Sequence, residues 1–216
     1  DFKSLASQFG WESPFSGQID VAGELNGKGR EINISKIDAD ILNQYGYANI
    51  KGSINSPFIN PSPNLKLDLA IDDLSTIAKQ FNFSLPNELK MRADVTALVE
   101  STDNRIFVRH FSGNLFSPFF QTGVFSGQMS DVSKIQTLAL GVNLDIKSVE
   151  RFSRLFDLNL KSNTEAQIRA NLVGTIEKDK PFFLTLNMLN EDIILSVNGQ
   201  ISELSRNAQF DLRANL

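Results

Sequence analysis

Apolar and polar residues alternate along most of the chain, with the two-residue period of strands that bury one face. Twelve stretches carry it: 17–25, 32–41, 47–54, 65–71, 89–95, 105–111, 119–128, 138–144, 165–172, 182–189, 193–199 and 209–214. The run Leu65-Lys66-Leu67-Asp68-Leu69-Ala70-Ile71 is the cleanest, and the second stretch is broken near Ser35-Lys36. Asn26-Gly27-Lys28-Gly29, Thr102-Asp103-Asn104 and Asn190-Glu191-Asp192 read as hairpin turns, and 56–63 as a proline-rich connection.

A different period interrupts the strands at 72–85. Leu74, Ile77, Ala78 and Phe81 sit at i, i+3, i+4 and i+7, the spacing of one helix face. Asp73 is placed to cap the helix by accepting from amides of its first turn, and Pro86 prevents its continuation. Asp1, Phe2, Leu5, Phe9 and Trp11 repeat the pattern 72 residues earlier. Ser148, Val149, Phe152, Phe156, Leu158 and Leu160 repeat it 75 residues later. The spacing predicts three tandem units, 1–72, 73–147 and 148–216, each a short helix plus four strands, in one continuous module. A helix of about ten residues is unstable alone in water, so each must dock on a sheet. Burying Leu74, Ile77 and Phe81 contributes at most roughly 5–8 kcal/mol. Units of this kind are expected to stack, each covering its neighbour's exposed face and edge.

Composition narrows the function. With 41% hydrophobic and 21% charged residues the chain is globular. A net charge of −4 with interspersed signs offers no basic track for nucleic acid. Seventeen Phe against one Trp and two Tyr suit a greasy lining or core better than a sugar-binding surface. The absence of cysteine excludes disulfides and thiolate chemistry. No apolar run reaches the ~20 residues of a membrane helix, and no signal peptide is visible. The chain starts at the first helix copy and stops where a fourth would be due, so an excised piece of a longer protein is expected, its targeting segment lying elsewhere.

The second unit carries a family likeness. Asp72-Asp73-Leu74-Ser75, Ile77 and Phe81-Asn82-Phe83-Ser84-Leu85-Pro86, followed by alternating strands, resemble the repeat of AsmA-like proteins. Leu138 to Leu144, leading into Ile146-Lys147-Ser148-Val149, resembles the ending of that repeat. The first unit departs from it, with Trp11-Glu12-Ser13-Pro14 where Phe83-Ser84-Leu85-Pro86 would correspond. The resemblance implies an open, curved, U-shaped β-groove with an apolar concave face, in the bridge-like lipid transfer superfamily. It further implies a periplasmic protein anchored in the bacterial inner membrane, handling phospholipid between the envelope membranes in outer-membrane biogenesis.

Half-apolar strands are what such a groove needs. The expected lining is Leu65, Leu67, Leu69, Met91, Val95, Leu138, Leu140, Val142, Leu144, Ile168, Leu172, Ile193, Leu195 and Val197. Its partners would be phospholipid acyl chains, held diffusely, with no cofactor and no catalytic group. The same residues would equally form an ordinary closed core under the helices, giving a structural or interaction scaffold. Such a scaffold would be marked by an exposed aromatic or charged patch on an outer face, and the sequence displays none.

Other constellations are weak. His110 is the only histidine, lies between Arg109 and Phe111, and has no second ligand to complete a metal or catalytic site. Asp72-Asp73 reads as a cap with an exposed neighbour, and Asp38-Ala39-Asp40 as a solvated face without a calcium loop. No phosphate-binding or dinucleotide glycine motif is present. The triplets at Asn33 and Asn82 fall inside apolar elements and are chance matches to the glycosylation signal. Ser-Pro-Phe at Ser13, Ser56 and Ser117 reads as a strand-ending kink with Phe turned inward. Enzymes built on β-helices need acids or bases aligned over successive coils, which units of this length with a helix in each do not supply.

Overall fold

A computed structural model describes residues 17–28, 31–80, 86, 89–102, 105–130, 137–157, 160–175, 180–191, 194–202 and 210–215. The first helix copy, Phe81, Phe83, Leu85, Leu158 and Ile193 lie outside them. Twelve strands form: β1 (Gly17–Lys28), β2 (Glu31–Asn43), β3 (Gly46–Asn55), β4 (Ser62–Ile71), β5 (Arg92–Thr102), β6 (Arg105–Phe116), β7 (Phe120–Ser130), β8 (Thr137–Ile146), β9 (Ala166–Gly174), β10 (Phe182–Leu189), β11 (Ile194–Ile201) and β12 (Phe210–Asn215). Helix α1 (Leu74–Gln80) stands between β4 and β5, and α2 (Val149–Arg154) between β8 and β9. Helix α2 is shorter than the predicted ten residues.

The strands lie in one antiparallel sheet in chain order, β1 to β12, each bonded to the next. Short connections favour this arrangement, since a tight return brings consecutive strands side by side. The helical detours at 72–91 and 147–165 do the same job as a hairpin turn. Across them β4 pairs β5 from Ile71↔Ala93 to Asn64↔Glu100, and β8 pairs β9 from Ile146↔Ala166 to Leu138↔Gly174. The expected stacking of units face on face is therefore corrected. At 72/73 and 147/148 the sheet runs on edge to edge, because the next strand satisfies the open row of N–H and C=O groups that each edge presents.

Both helices stand at the same end of the sheet, and they start alike. The Asp72 and Lys147 amides donate to Tyr45 and Phe119 carbonyls at 3.0 Å each. The Leu74 and Val149 amides donate to Met91 and Thr164 carbonyls at 2.9 and 3.1 Å. At α1, Asp73 Oδ1 accepts from the Ser75 amide at 2.9 Å and the Ser75 hydroxyl at 2.6 Å, and Oδ2 from the Thr76 hydroxyl at 2.7 Å. At α2 the Ser148 hydroxyl accepts from the Arg151 amide at 3.3 Å. The Ser75 and Thr76 hydroxyls hold the Asp73 carboxyl below its ordinary pKa. Its stabilisation is thus fully present above the unfolded-state pKa near 4 and is lost as pH falls through the lower folded value. Replacing Asp73 with Ala is expected to cost about 1 kcal/mol at neutral pH, read as a lower urea midpoint. The gap to the native protein should close as both are titrated through the acid range.

The packed core sits under α2. Ile146 and Val149 are each 1% exposed and join Phe120, Ala166, Ile168 and Met188 in one cluster. Phe152 of α2, Leu160, and Leu144, Leu186 and Leu195 of the sheet pack against it. The helix therefore lies on the apolar side of the sheet, at one end, and not behind it.

Candidate functional site

In an antiparallel ladder, residues directly opposite point to the same side, so the registers define rows that cross the sheet. One row starts at Ile19 and passes through Ile41, Ala48, Leu69, Val95 and Gly113. It continues through Phe125, Val142, Ala170, Leu186 and Val197 to Ala214. The row beside it starts at Val21 and passes through Ala39, Ile50, Leu67, Ala97 and Phe111. It ends through Gly127, Leu140, Leu172, Leu184, Gly199 and Leu212. No polar side chain occurs in either row. Twelve strands about 4.8 Å apart make the double row about 53 Å long.

Most of this surface is neither buried nor free. Leu67, Leu69, Val95, Leu140, Val142, Leu172 and Val197 are all half-buried although each is surrounded by apolar neighbours. Ala39 and Ala97 are the two row members that are fully buried. At the first edge Val21 is 60% exposed.

Two phenylalanines lie down within the rows. Gly113 is paired with Phe125 and Gly127 with Phe111. A Cβ at Gly127 would meet Phe111 Cζ at 2.3 Å and the Ala139 carbonyl at 2.4 Å; one at Gly113 would meet the Asp94 carbonyl at 2.0 Å. Glycine thus lets each ring fold onto the opposite strand, and the rings meet at 6.3 Å, tilted by 45°. The face stays low and smooth at its middle.

The opposite face carries the polar residues. The row between the two apolar ones reads Asp20, Asp40, Asn49, Asp68, Thr96 and Ser112 over its first half. The Tyr47 hydroxyl and the Asn49 amide donate to Asp40, in that order the main reasons its carboxyl is held below the ordinary range. Lys66 pairs with Asp68 at 2.9 Å, and Thr96 donates to the same carboxylate at 2.7 Å. Asp38 pairs with Lys51 at 3.3 Å, so Asp38 and Asp40 form the solvated face that their spacing suggests.

The predicted lining falls on one side. Leu65, Leu67, Leu69, Val95, Leu138, Leu140, Val142, Leu144, Ile168, Leu172, Leu195 and Val197 share the apolar face by register. Met91 precedes β5 and packs against the core cluster, and Ile193 lies outside the described residues. Sequence reasoning missed the first-unit part of the rows, Ile19 to Ile50, and the Phe111–Phe125 pair. The alternation in 17–25 and 47–54 was the available signal for the former; the latter needs the register.

Position bears on three readings. His110 lies exposed on the polar side opposite Leu98, beside a bulge that leaves Arg109 over to pair with Glu100 at 3.2 Å. A cleft of about 760 Å³ at the foot of α1 is lined by Asp72, Asp73, Lys79, Lys90, Arg92 and Phe116. Of its two acids, Asp73 is the helix cap. The Ser-Pro-Phe at Ser13 lies outside the described residues, and the copies at Ser56 and Ser117 differ. Phe119 packs against the core, but Phe58 is 61% exposed on the turn closed by Ile59 N–H to the Ser56 carbonyl. The inward reading is corrected there, because that turn stands at the far end of the sheet from the helices. The polar face also carries an apolar pair that the sequence did not display: Val173 and Phe183 lie opposite each other, 52% and 55% exposed.

Among the described residues no group of three or more potential metal ligands occurs, and no helix is long and apolar enough to cross a membrane. No family model matches the chain, and no curated protein or solved structure is significantly similar to it.

Proposed function

We propose that this chain is a non-enzymatic lipid-handling module whose apolar face takes phospholipid acyl chains. In this reading it consists of three tandem units that curve into one segment of an AsmA-like groove. The groove conducts phospholipid between the bacterial inner and outer membranes, and anchoring falls to a segment outside these residues. The observation that carries the reading is the double row: twenty-four cross-strand positions on one face without a polar side chain, most of them still accessible. A water-soluble chain leaves a continuous apolar surface of this size open when something apolar is to lie on it. Each methylene removed from water contributes about 0.8 kcal/mol, so one long acyl chain gains roughly 10 kcal/mol without any polar contact. A ligand held this way keeps no fixed register and can slide, which is the property a conduit needs. The alike hydrogen bonding at the starts of α1 and α2 supports the tandem units.

The test is lipid extraction and native mass spectrometry of protein purified from a bacterial host without detergent. Phospholipid is expected to co-purify; lipid-free protein under these conditions would sink the reading. A second reading, an interaction scaffold, is favoured by the exposed Val173–Phe183 pair on the polar face.

A further inference from the structure

We propose that the connection between β6 and β7, residues 116–119, is the centre of a cationic rim that holds the phosphate of a phospholipid headgroup. The inference rests on the lipid-handling reading: the apolar rows take the acyl chains, and the rim fixes where the polar end of the lipid lies. Five cations gather at this connection although the chain carries a net charge of −4. The Arg92 guanidinium lies over the Phe116 ring, 4.6 Å from its centroid, and that of Arg151 over the Phe119 ring at 5.7 Å. The Lys147 ammonium donates to the Pro118 carbonyl at 3.2 Å. Lys79 and Lys90 line the cleft of about 760 Å³ whose wall includes Phe116, Ser117 and Pro118.

Among the described residues none of the five forms an ion pair, whereas Lys36, Lys51, Lys66 and Arg109 on the sheet each pair with a carboxylate. Asp73 in the cleft accepts from Ser75 and Thr76, and Glu150 of α2 is paired with Arg154. Asp72, also in the cleft, is the acid left facing the group. A guanidinium laid on a ring keeps its N–H edge open to an anion, and its donor fork matches a phosphate. The rim stands at the strand ends, where the two faces of the sheet meet. Phe116 is three residues along β6 from Gly113 of the apolar rows, about 10 Å. One amphipathic molecule can therefore lay its chains on the rows and set its phosphate at the rim.

The test compares two lipids with the same short acyl chains, a phosphatidylglycerol and a diacylglycerol that lacks phosphate. Each is titrated below its micelle-forming concentration into protein freed of lipid, and affinity is read by calorimetry. Lys90→Gln with Lys147→Gln, both at exposed positions, is expected to weaken phosphatidylglycerol about tenfold and to leave diacylglycerol unchanged. Lys28→Gln with Lys36→Gln makes the same charge change away from the rim and should alter neither. Equal weakening of both lipids, or of neither, overturns the rim and leaves the acyl-chain reading standing. Failure of the native protein to bind either lipid overturns both. Inorganic phosphate is the third arm. If it binds as tightly as phosphatidylglycerol and is weakened by the same variant, the rim takes free phosphate and the headgroup assignment falls.

Discussion

Aspartates at Leu140 and Val142 together are expected to abolish the proposed lipid retention, whereas aspartates at Ala139 and Asn143 are expected to leave it intact. Both pairs sit on β8, two and four positions apart along the same strand, and both change the net charge by the same two units. They differ only in side: Leu140 and Val142 belong to the apolar rows, and Ala139 and Asn143 pair with Gln128 and Val124 on the other face. A carboxylate under an acyl chain must lose water or hold the chain away, at a cost of a few kcal/mol per group. At 1.4 kcal/mol per tenfold, two such groups lower affinity more than about a hundredfold, below what survives purification. Leu140 and Val142 are half-buried and still reach the surface in the folded chain, so their replacements are expected to meet water when no lipid is bound and to leave the sheet folded. Circular dichroism checks that point, and extracted phospholipid per mole of protein gives the result. Equal retention by the two variants would show that the lipid does not lie on these rows.

The two-sidedness was legible because alternation reports it directly, and eleven strands fall close to where the pattern places them, while β5 runs Arg92–Thr102, well past the predicted 89–95. What alternation cannot report is how one strand is set against the next. The break at Ser35-Lys36 was visible, and it coincides with the register shift between Ile34 and Ile37. The shifts at Leu98/Val99 and Val108/Phe111 left no comparable mark, because an extra residue in a bulge changes side without changing composition. Without them the Phe111–Gly127 pairing cannot be placed, nor Arg109 recognised as the residue left over. Helix position was half legible. The apolar spacing of Val149 and Phe152 requires a docking surface, but either side of a sheet would serve. Only the cluster with Ile168 and Met188 assigns the apolar side.

That assignment leaves two kinds of apolar site on one face, and truncation should separate them without any lipid. Ile146→Ala removes three carbons from a position that is 1% exposed, wedged among Phe120, Val149 and Ala166 under α2. The surroundings cannot collapse into the space, because α2 is tied at its start to the Phe119 and Thr164 carbonyls. The expected cost is about 2–5 kcal/mol, a large share of the roughly 5–15 kcal/mol that holds a domain folded. Leu172→Ala removes as many carbons from the same face, near the end of β9 away from the helix. Leu172 is half-buried and outside the α2 cluster, so its truncation leaves a notch in an open surface and no enclosed void. Only the transfer of the carbons already out of water is lost, about 1–2 kcal/mol. Urea midpoints of the two variants measure the difference. If Leu172→Ala costs as much as Ile146→Ala, a second layer covers the rows and the face is an ordinary core. If it costs the smaller amount, the face stands open in water, which is the physical condition for anything apolar to lie on it.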